Sequence, residues 1–327
     1  MSTFSKPPQN PDEHIKRLRE RGLAISEEDE INVKNEIRTK GYFRLSGYFG
    51  PLQSEKDVFK DGTKFEDILR LYEFDTRLKI LTLEALERIE IMLRTLITDV
   101  YSSAYGSFWY SEKKLFEDKK EKIEVEECTC ENGAVVKRII EIETSMYENL
   151  LKEIMASVNK IENSEFIMKF KEKYSEDSPI PSWMIMESIS FGKISRLFYL
   201  LKTSDEKRFI AKQFGAVTPV FLVSWLHAFV VLRNISAHYS RLWNRKIGKD
   251  IMIPTRKKHK FIKNANSENL RKYYGVSSCI LKIFENMDKN FMQYFKNSFY
   301  ELVSNHDIDV YAMGFPKNYQ EDEIWKV

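Results

Sequence analysis

The 327-residue chain is poor in the two residues that interrupt regular structure, with only 12 Gly and 9 Pro. A turn-rich β fold uses many of both, so their scarcity favours long helices. Hydrophobic residues make up 43% of the chain, which is typical of a globular protein and excludes a disordered one. We therefore expect an all-α fold, long enough for one large or two small domains.

Cysteine is also scarce, and the three cysteines, an odd number, exclude a disulfide framework. Cys128 and Cys130 face the same side of a predicted strand, but no further metal ligands stand near them. We therefore predict no metal and no cofactor, and a reducing cytoplasm fits best. The first residues lack an apolar signal core. The longest apolar run, about Pro219 to Leu232, is too short to span a bilayer, so we expect no membrane partner.

The charges nearly cancel, because 52 Lys and Arg face 49 Asp and Glu, so bulk charge says little about partners. Between Arg233 and Lys272, however, 12 basic residues face only two acidic ones. Such a block suits a phosphate backbone, although a solvated basic loop would have the same composition. The predicted phosphate contacts in this block, beyond those of the motif described next, are Lys246, Arg256, Lys257, Lys258 and Lys260.

A cluster of polar residues follows the apolar run Phe221 to Leu232. On a helix, Asn234 and His238 are four residues apart and share a face, and Arg241 and Arg245 continue that stripe. Arg233 lies about 140° around the axis from His238, so one helix does not bring guanidinium and imidazole together. A second copy of the helix, packed antiparallel, would do so.

These residue types support a narrow range of chemistry. Histidine transfers protons near neutral pH, and arginine binds phosphate through paired hydrogen bonds. Cleavage of RNA by its own 2′-hydroxyl needs only such groups, and DNA lacks that hydroxyl. A buried histidine bonded to a backbone carbonyl would give the same sequence pattern.

The segment resembles the HEPN ribonuclease motif, in which an Arg with a polar neighbour is followed by His after four to six residues. Together with Arg241-Leu242-Trp243-Asn244-Arg245, it is similar to the Abi family of abortive-infection proteins, in particular the AbiD/AbiF-like group of phage resistance. Three further blocks carry the same resemblance: Gly41–Tyr48, Trp183–Lys193 and Met313–Trp325.

The resemblance implies a HEPN-like helical bundle with additional N- and C-terminal helices and one small β-hairpin insertion. We expect an N-terminal helical segment at 1–64, a HEPN-like domain at 65–310 and a C-terminal tail at 311–327 packed on that domain. The hairpin is placed at about 122–142, because Asn132-Gly133 is a strong turn signal between alternating residues.

Four further residues are candidates for a supporting role. Glu90 and Arg94 are four apart on a predicted long helix, Phe65 to about Ser103, and the resemblance implies that they position His238 or substrate. Glu187 stands in an apolar setting and is expected to have a structural role, either as an acid at a helix N-terminus or as the partner of a buried arginine, for which Arg233 is the candidate. We interpret Gly41–Tyr48 as a packed turn between helices. The alternative is a platform on which a nucleic-acid base stacks, with Arg44 bound to a phosphate.

The functional prediction is a metal-independent endoribonuclease, a toxin of antiviral defence. The resemblance implies that two motifs form each site, so one motif per chain predicts a homodimer. His238 would transfer protons, Arg233 would stabilise the transition state, and Asn234 would orient them, while Arg241 and Arg245 hold the RNA. The alternative is a non-catalytic RNA-binding module that binds a structured, regulatory non-coding RNA. A third reading is a dimeric scaffold that senses a phage protein through the hairpin.

Overall fold

Helices form most of the chain in a computed structural model, which describes residues 7–131, 134–160, 165–174, 178–248, 251–263 and 266–326. The all-α fold expected from the sequence is confirmed. The helices in these ranges are α1 (Pro11–Glu20), α2 (Glu30–Lys40), α3 (Tyr42–Ser46), α4 (Phe65–Tyr105), α5 (Met146–Lys160), α6 (Glu165–Lys173), α7 (Ser182–Ser188), α8 (Phe191–Leu200), α9 (Asp205–Gln213), α10 (Pro219–Ala237), α11 (Ser267–Leu270), α12 (Tyr273–Met287) and α13 (Lys289–Asn305).

Two antiparallel hairpins interrupt the described helices, where one was predicted. The predicted hairpin pairs β3 (Lys120–Glu131) with β4 (Ala134–Ser145), and its turn signal Asn132-Gly133 lies outside the described residues. The unpredicted hairpin pairs β1 (Gln53–Glu55) with β2 (Val58–Phe59). Its two-residue turn places Asp57 at φ 67°, a conformation that Asp tolerates better than most residues.

The long helix α4 runs through the core as one unbroken element of 41 residues. At 1.5 Å per residue its length is about 60 Å. Its buried residues recur every three or four positions, as in Leu71, Phe74, Leu78 and Leu81, so one face packs inward along most of its length. It begins with acidic residues in its first turn and ends at Gly106, whose φ of 84° stops the helix.

Helix α10 packs against α4, α8, α9 and α12. Its 19 residues and mean hydropathy of 1.6 make it the one helix in the described ranges long and apolar enough to cross a membrane, and 44% of that stretch is buried inside the protein. The expectation that this run is too short was wrong on length, because the helix continues through Arg233 and Asn234. In this fold it occupies the position of a central bundle helix.

The C-terminal tail packs on the bundle through aromatic side chains. Phe315 and Trp325 are buried beside Phe299 of α13, with ring centroids 5.1 and 5.3 Å from it. The Trp325 indole N–H also donates to Ser278 Oγ at 2.7 Å. One continuous cluster of buried residues extends from Ile15 in α1 to this tail.

Candidate functional site

The motif helix ends earlier than the predicted stripe requires. His238 is the C-terminal cap of α10, and Tyr239 then adopts a left-handed φ of 56°. The N–H groups of Tyr239 and Ser240 donate to the carbonyls of Ser236 and Ile235 at 3.2 and 3.0 Å. This is the hydrogen-bond pair of a Schellman motif, which usually has glycine in the left-handed position. Tyrosine there costs about 1–2 kcal/mol, and such strain often marks a functional site.

The first three motif residues nevertheless lie at the protein surface. Asn234 and His238 are on consecutive turns, with the His238 N–H donating to the Asn234 carbonyl at 3.0 Å, and both residues are exposed. Half-buried Arg233 donates to Asn234 Oδ1 at 3.3 Å. Arg241 and Arg245 follow the left-handed turn and lie in a loop, so the prediction that they continue one helical face is wrong.

A buried carboxylate on α4 fixes the path of that loop. Asp75 accepts the N–H groups of Leu242 at 3.0 Å and Trp243 at 2.5 Å, and the Tyr48 hydroxyl at 2.7 Å. The Lys79 ammonium lies 3.1 Å from the same carboxylate. Burial, then the charge of Asp75, raises the pKa of the Tyr48 hydroxyl, which keeps it a donor. Sequence analysis missed Asp75, because its partners Tyr48 and Leu242 are 27 and 167 residues away.

Two arginines join the Gly41–Tyr48 block to the loop after His238. Arg44 donates to the Tyr239 carbonyl at 3.1 Å, and Arg241 donates to the Gly47 carbonyl at 2.7 Å. The guanidinium groups keep further donors for a ligand. Blocks 195 residues apart in sequence thus form one surface.

The Gly41–Tyr48 block forms the packed turn predicted for it, and base stacking on its exposed ring stays a prediction. Leu45 and Tyr48 are buried against the core, as a packed turn requires. Phe43, on the short helix α3, is 92% exposed, and Tyr239 is 70% exposed. Large aromatic side chains at such exposure provide faces on which nucleic-acid bases stack. The base-stacking alternative for Gly41–Tyr48 includes Phe43, whereas sequence analysis did not single out Tyr239.

A polar cleft of about 750 Å³ opens beside this surface. The guanidinium groups of Arg17, Arg21 and Arg241 line it, and Asp57 is the one acid among its described lining residues. Arg21 pairs with Asp57 at 2.9 Å, whereas Arg17 has no ion-pair partner within the described ranges. The cleft therefore carries excess positive charge next to the motif.

Helix α1, which carries Arg17 at the cleft, is held in place by a cap at its start and by the packing of its side chains. Asn10 and Glu13 form a reciprocal capping box at its start, and Leu18 is fully buried. The His14 ring stacks on Tyr42 with centroids 3.9 Å apart and planes 4° apart. Burial, followed by the charge of Arg17, lowers the pKa of His14. Nothing in the sequence distinguishes Arg17 from an ordinary surface arginine.

The basic run after the motif turns away from His238. The Met252 N–H donates to Ser224 Oγ at 2.9 Å, and the Met252 carbonyl accepts the Trp225 indole N–H at 2.7 Å. The chain therefore folds back along α10 towards its first turn. Arg245 and Lys246 come shortly after the motif in the sequence, and both are exposed. The Arg245 guanidinium donates to the Arg241 carbonyl at 3.4 Å.

Lys258 and Lys260 line a cavity that also includes Thr218 and Pro219, at the start of α10. His238 caps the other end of this 19-residue helix, which is about 28 Å long. Arg256 and Lys257 are exposed on the same turn as Lys258. Lys258 and Lys260 therefore lie near the start of α10, at the opposite end of the helix from His238, and the phosphate contacts expected of this run stay a prediction.

The two supporting residues on α4 have structural partners, whereas the one on α7 has none among the described residues. Arg94 donates to the carbonyls of Met186 and Ile189, the latter at 2.7 Å, and pairs with Glu90. It thus holds the end of α7. Glu187 is exposed and has no hydrogen-bond or ion-pair partner among the described residues. Its expected pairing with Arg233 is absent, because α7 turns Ile185 and Met186 inward and Glu187 outward.

The surface therefore combines an exposed imidazole, several guanidinium groups and exposed aromatic rings. Such a set can transfer protons and bind phosphate. Within the described ranges, no three His, Cys, Asp or Glu side chains converge in a way that could hold a metal ion.

The same segments carry a family signature. Residues 35–244 match the family model described as Abi-like protein, a span that includes α3, α4, Asp75 and the whole of α10. No curated protein and no solved structure matches the chain. The match extends over more than half of the chain and ends at Asn244, just beyond the loop that Asp75 holds. The chain belongs to the Abi-like family of abortive-infection proteins, whose role is phage defence.

Proposed function

We propose that the protein is an endoribonuclease that cleaves RNA without a metal ion, through attack of the 2′-hydroxyl at a site formed by two copies of the chain. The observation that carries this proposal is the position of His238. It is exposed at the end of an apolar helix that packs against α4 and α8, and Asp75, Arg44 and Arg241 anchor the loop that follows it. A catalytic imidazole needs both solvent access and a rigid support.

The chemistry follows from the two side chains. His238 of one copy removes the proton of the RNA 2′-hydroxyl, and the oxygen attacks the adjacent phosphorus. The bond from phosphorus to the 5′-oxygen breaks, and His238 of the other copy protonates that oxygen. Arg233 stabilises the negative charge that develops on the phosphorane, while Asn234, in contact with Arg233 at 3.3 Å, orients it. The products end in a 2′,3′-cyclic phosphate and a 5′-hydroxyl.

Cleavage of end-labelled RNA in EDTA tests this mechanism. The wild-type protein should cut, His238→Ala and Arg233→Ala should each lower the rate by about 10²-fold or more, and RNA with 2′-deoxyribose at the cut position should stay intact. His259→Ala is the matched control, because His259 is an exposed histidine in the remote basic run. Equal rates for wild type and His238→Ala, or loss of cutting in EDTA, would rule the mechanism out.

The requirement for two copies has its own test. His238→Ala and wild-type chains are co-expressed in varied ratios with different tags. If each site needs His238 from two chains, activity should fall as the square of the wild-type fraction. A linear fall, or a monomer by light scattering, would contradict the shared site and leave single-chain chemistry.

A second function, RNA binding without cleavage, is favoured by the cleft that Arg17, Arg21 and Arg241 line. Such a cleft suits the backbone of a structured RNA, including a non-coding RNA that regulates the protein. In that case RNA affinity should survive His238→Ala but fall in Arg17→Glu, and the bound RNA should remain full length. Binding to the phosphate backbone should also weaken steeply with salt.

A further inference from the structure

A second cavity, of about 740 Å³, lies at the end of α10 opposite His238. Its cationic lining comes from three separate parts of the chain: α9 provides Arg208 and Lys212, the segment after the motif provides Lys258 and Lys260, and α12 provides Lys282. Among the described residues that line it, none is acidic.

Two of these five cations are neutralised and three are not. Arg208 pairs with Asp205 at 2.9 Å, and Lys282 pairs with Glu285. No acid in the described ranges lies within ion-pair distance of Lys212, Lys258 or Lys260. Like charges that converge on one cavity repel each other, and a bound polyanion removes that repulsion.

The walls of the cavity are held by backbone contacts. Gly215 closes α9 at φ 68°, and a Cβ there would lie 3.0 Å from the Lys282 carbonyl oxygen, so glycine permits α9 and α12 to approach. The Asn286 side-chain amide on α12 donates to the Lys212 carbonyl at 3.3 Å. The cations on these two helices are therefore placed before any ligand arrives, which lowers the entropic cost of binding.

The remaining wall is apolar. Val217, just before α10, is 41% exposed, and Val220, in the first turn of α10, is 59% exposed. Buried Phe261 also forms part of the lining. A cavity of this size matches a small-molecule ligand. Its ligand should carry several negative charges for the lysines and a flat, partly apolar group for the valines.

We infer that this cavity binds a nucleoside polyphosphate, with the phosphates on Lys212, Lys258 and Lys260 and the base against the apolar wall. The site is separate from the proposed RNA site, since α10 holds the two about 28 Å apart. The inference does not depend on the ribonuclease proposal.

Calorimetry on the full-length protein in EDTA tests the inference, with adenosine triphosphate, inorganic triphosphate and adenosine as probes. Adenosine triphosphate should bind most tightly, triphosphate less tightly and adenosine least. Lys212→Glu and Lys260→Glu should each raise the Kd of adenosine triphosphate at least about tenfold, or about 1.4 kcal/mol. Lys257→Glu is the matched control, because Lys257 is exposed on the same turn but does not line the cavity.

The cavity and the proposed RNA site can be tested independently of each other. Arg233→Ala should leave the probe Kd unchanged even if it abolishes RNA cleavage, so this site and the RNA site fail independently. If the wild type binds neither phosphate probe at about 1 mM, the cavity is not a polyphosphate site. If Lys257→Glu weakens binding as much as Lys212→Glu, the effect is general surface charge and the inference is wrong.

Discussion

The carboxylate of Asp75 lies 3.0 Å from the backbone nitrogen of Leu242, and this contact joins the core helix α4 to the loop after the motif histidine. Asp75 is fully buried, and its other partners are Trp243, Tyr48 and Lys79. A buried carboxylate in such a network organises backbone groups that have no other partner. The geometry of the candidate site therefore depends on a residue outside it.

Asp75→Asn should lower the free energy of unfolding by about 3 kcal/mol, because it leaves the Lys79 ammonium buried without its counter-charge. The change should also reduce RNA cleavage under conditions where the variant is fully folded, since the loop after His238 loses its anchor. Urea unfolding and cleavage rates measure the two effects.

Asp99→Asn is the matched control for that change. Asp99 lies on the same helix but is exposed, so its substitution should alter stability by no more than about 0.5 kcal/mol. If Asp75→Asn behaves like Asp99→Asn, the carboxylate does not organise the loop.

Local sequence patterns predicted the elements well where local forces determine them. The long helix predicted from Phe65 to about Ser103 is α4 (Phe65–Tyr105), and its residues Leu71, Phe74 and Leu78 face inward at helical spacing. Alternation around residues 122–142 located the larger hairpin, although the strands extend beyond that range. In each case the structure is determined locally, by the periodicity of neighbouring side chains or by the conformational freedom of glycine.

The arrangement of the site was less predictable, because it depends on contacts between distant segments. A left-handed Tyr239 is unusual, so nothing in the sequence marks the end of α10 one residue before His238. The position of Lys258 depends on the hydrogen bonds of Met252 to Ser224 and Trp225, in the second turn of α10. Glu187 has the residue type of a buried ion-pair partner, but the orientation of α7 exposes it.

The arginine at the end of α7 should contribute to stability rather than to cleavage. Arg94→Met leaves the carbonyls of Met186 and Ile189 and the carboxylate of Glu90 without their donor, which should cost about 2–3 kcal/mol. Glu187→Gln should stay within about 0.5 kcal/mol of wild type by urea unfolding. A large loss from Glu187→Gln would mean that this residue has a partner we have not identified, in the protein or in an assembly.

Acid should weaken the folded protein through His14. Its pKa is lowered by burial and then by Arg17, so the unfolded chain takes up the proton at a higher pH than the folded one. This contribution to stability is complete above the ordinary pKa of 6.5 and is lost as the pH falls below it. His14→Phe keeps a ring on Tyr42 but cannot titrate. The stability lost between about pH 7.5 and about pH 5.5 should be smaller in this variant than in wild type. Equal losses would assign the acid sensitivity to other groups.

The exposed ring of Phe43 should bind RNA without supporting the fold. Its side chain is 92% exposed, and Arg44 beside it donates to the Tyr239 carbonyl, which places the ring near the motif. Loss of one stacked base costs about 1–3 kcal/mol, so Phe43→Ala should raise the Kd for single-stranded RNA about tenfold while the free energy of unfolding stays within about 0.5 kcal/mol of wild type.

Tyr311→Ala is the control for this prediction, because Tyr311 is 69% exposed on the 3₁₀ turn Val310–Met313. Fluorescence anisotropy with uncleavable RNA measures both. If the two variants weaken binding equally, RNA does not stack at Phe43, and the surface that joins Gly41–Tyr48 to the motif recognises only phosphate.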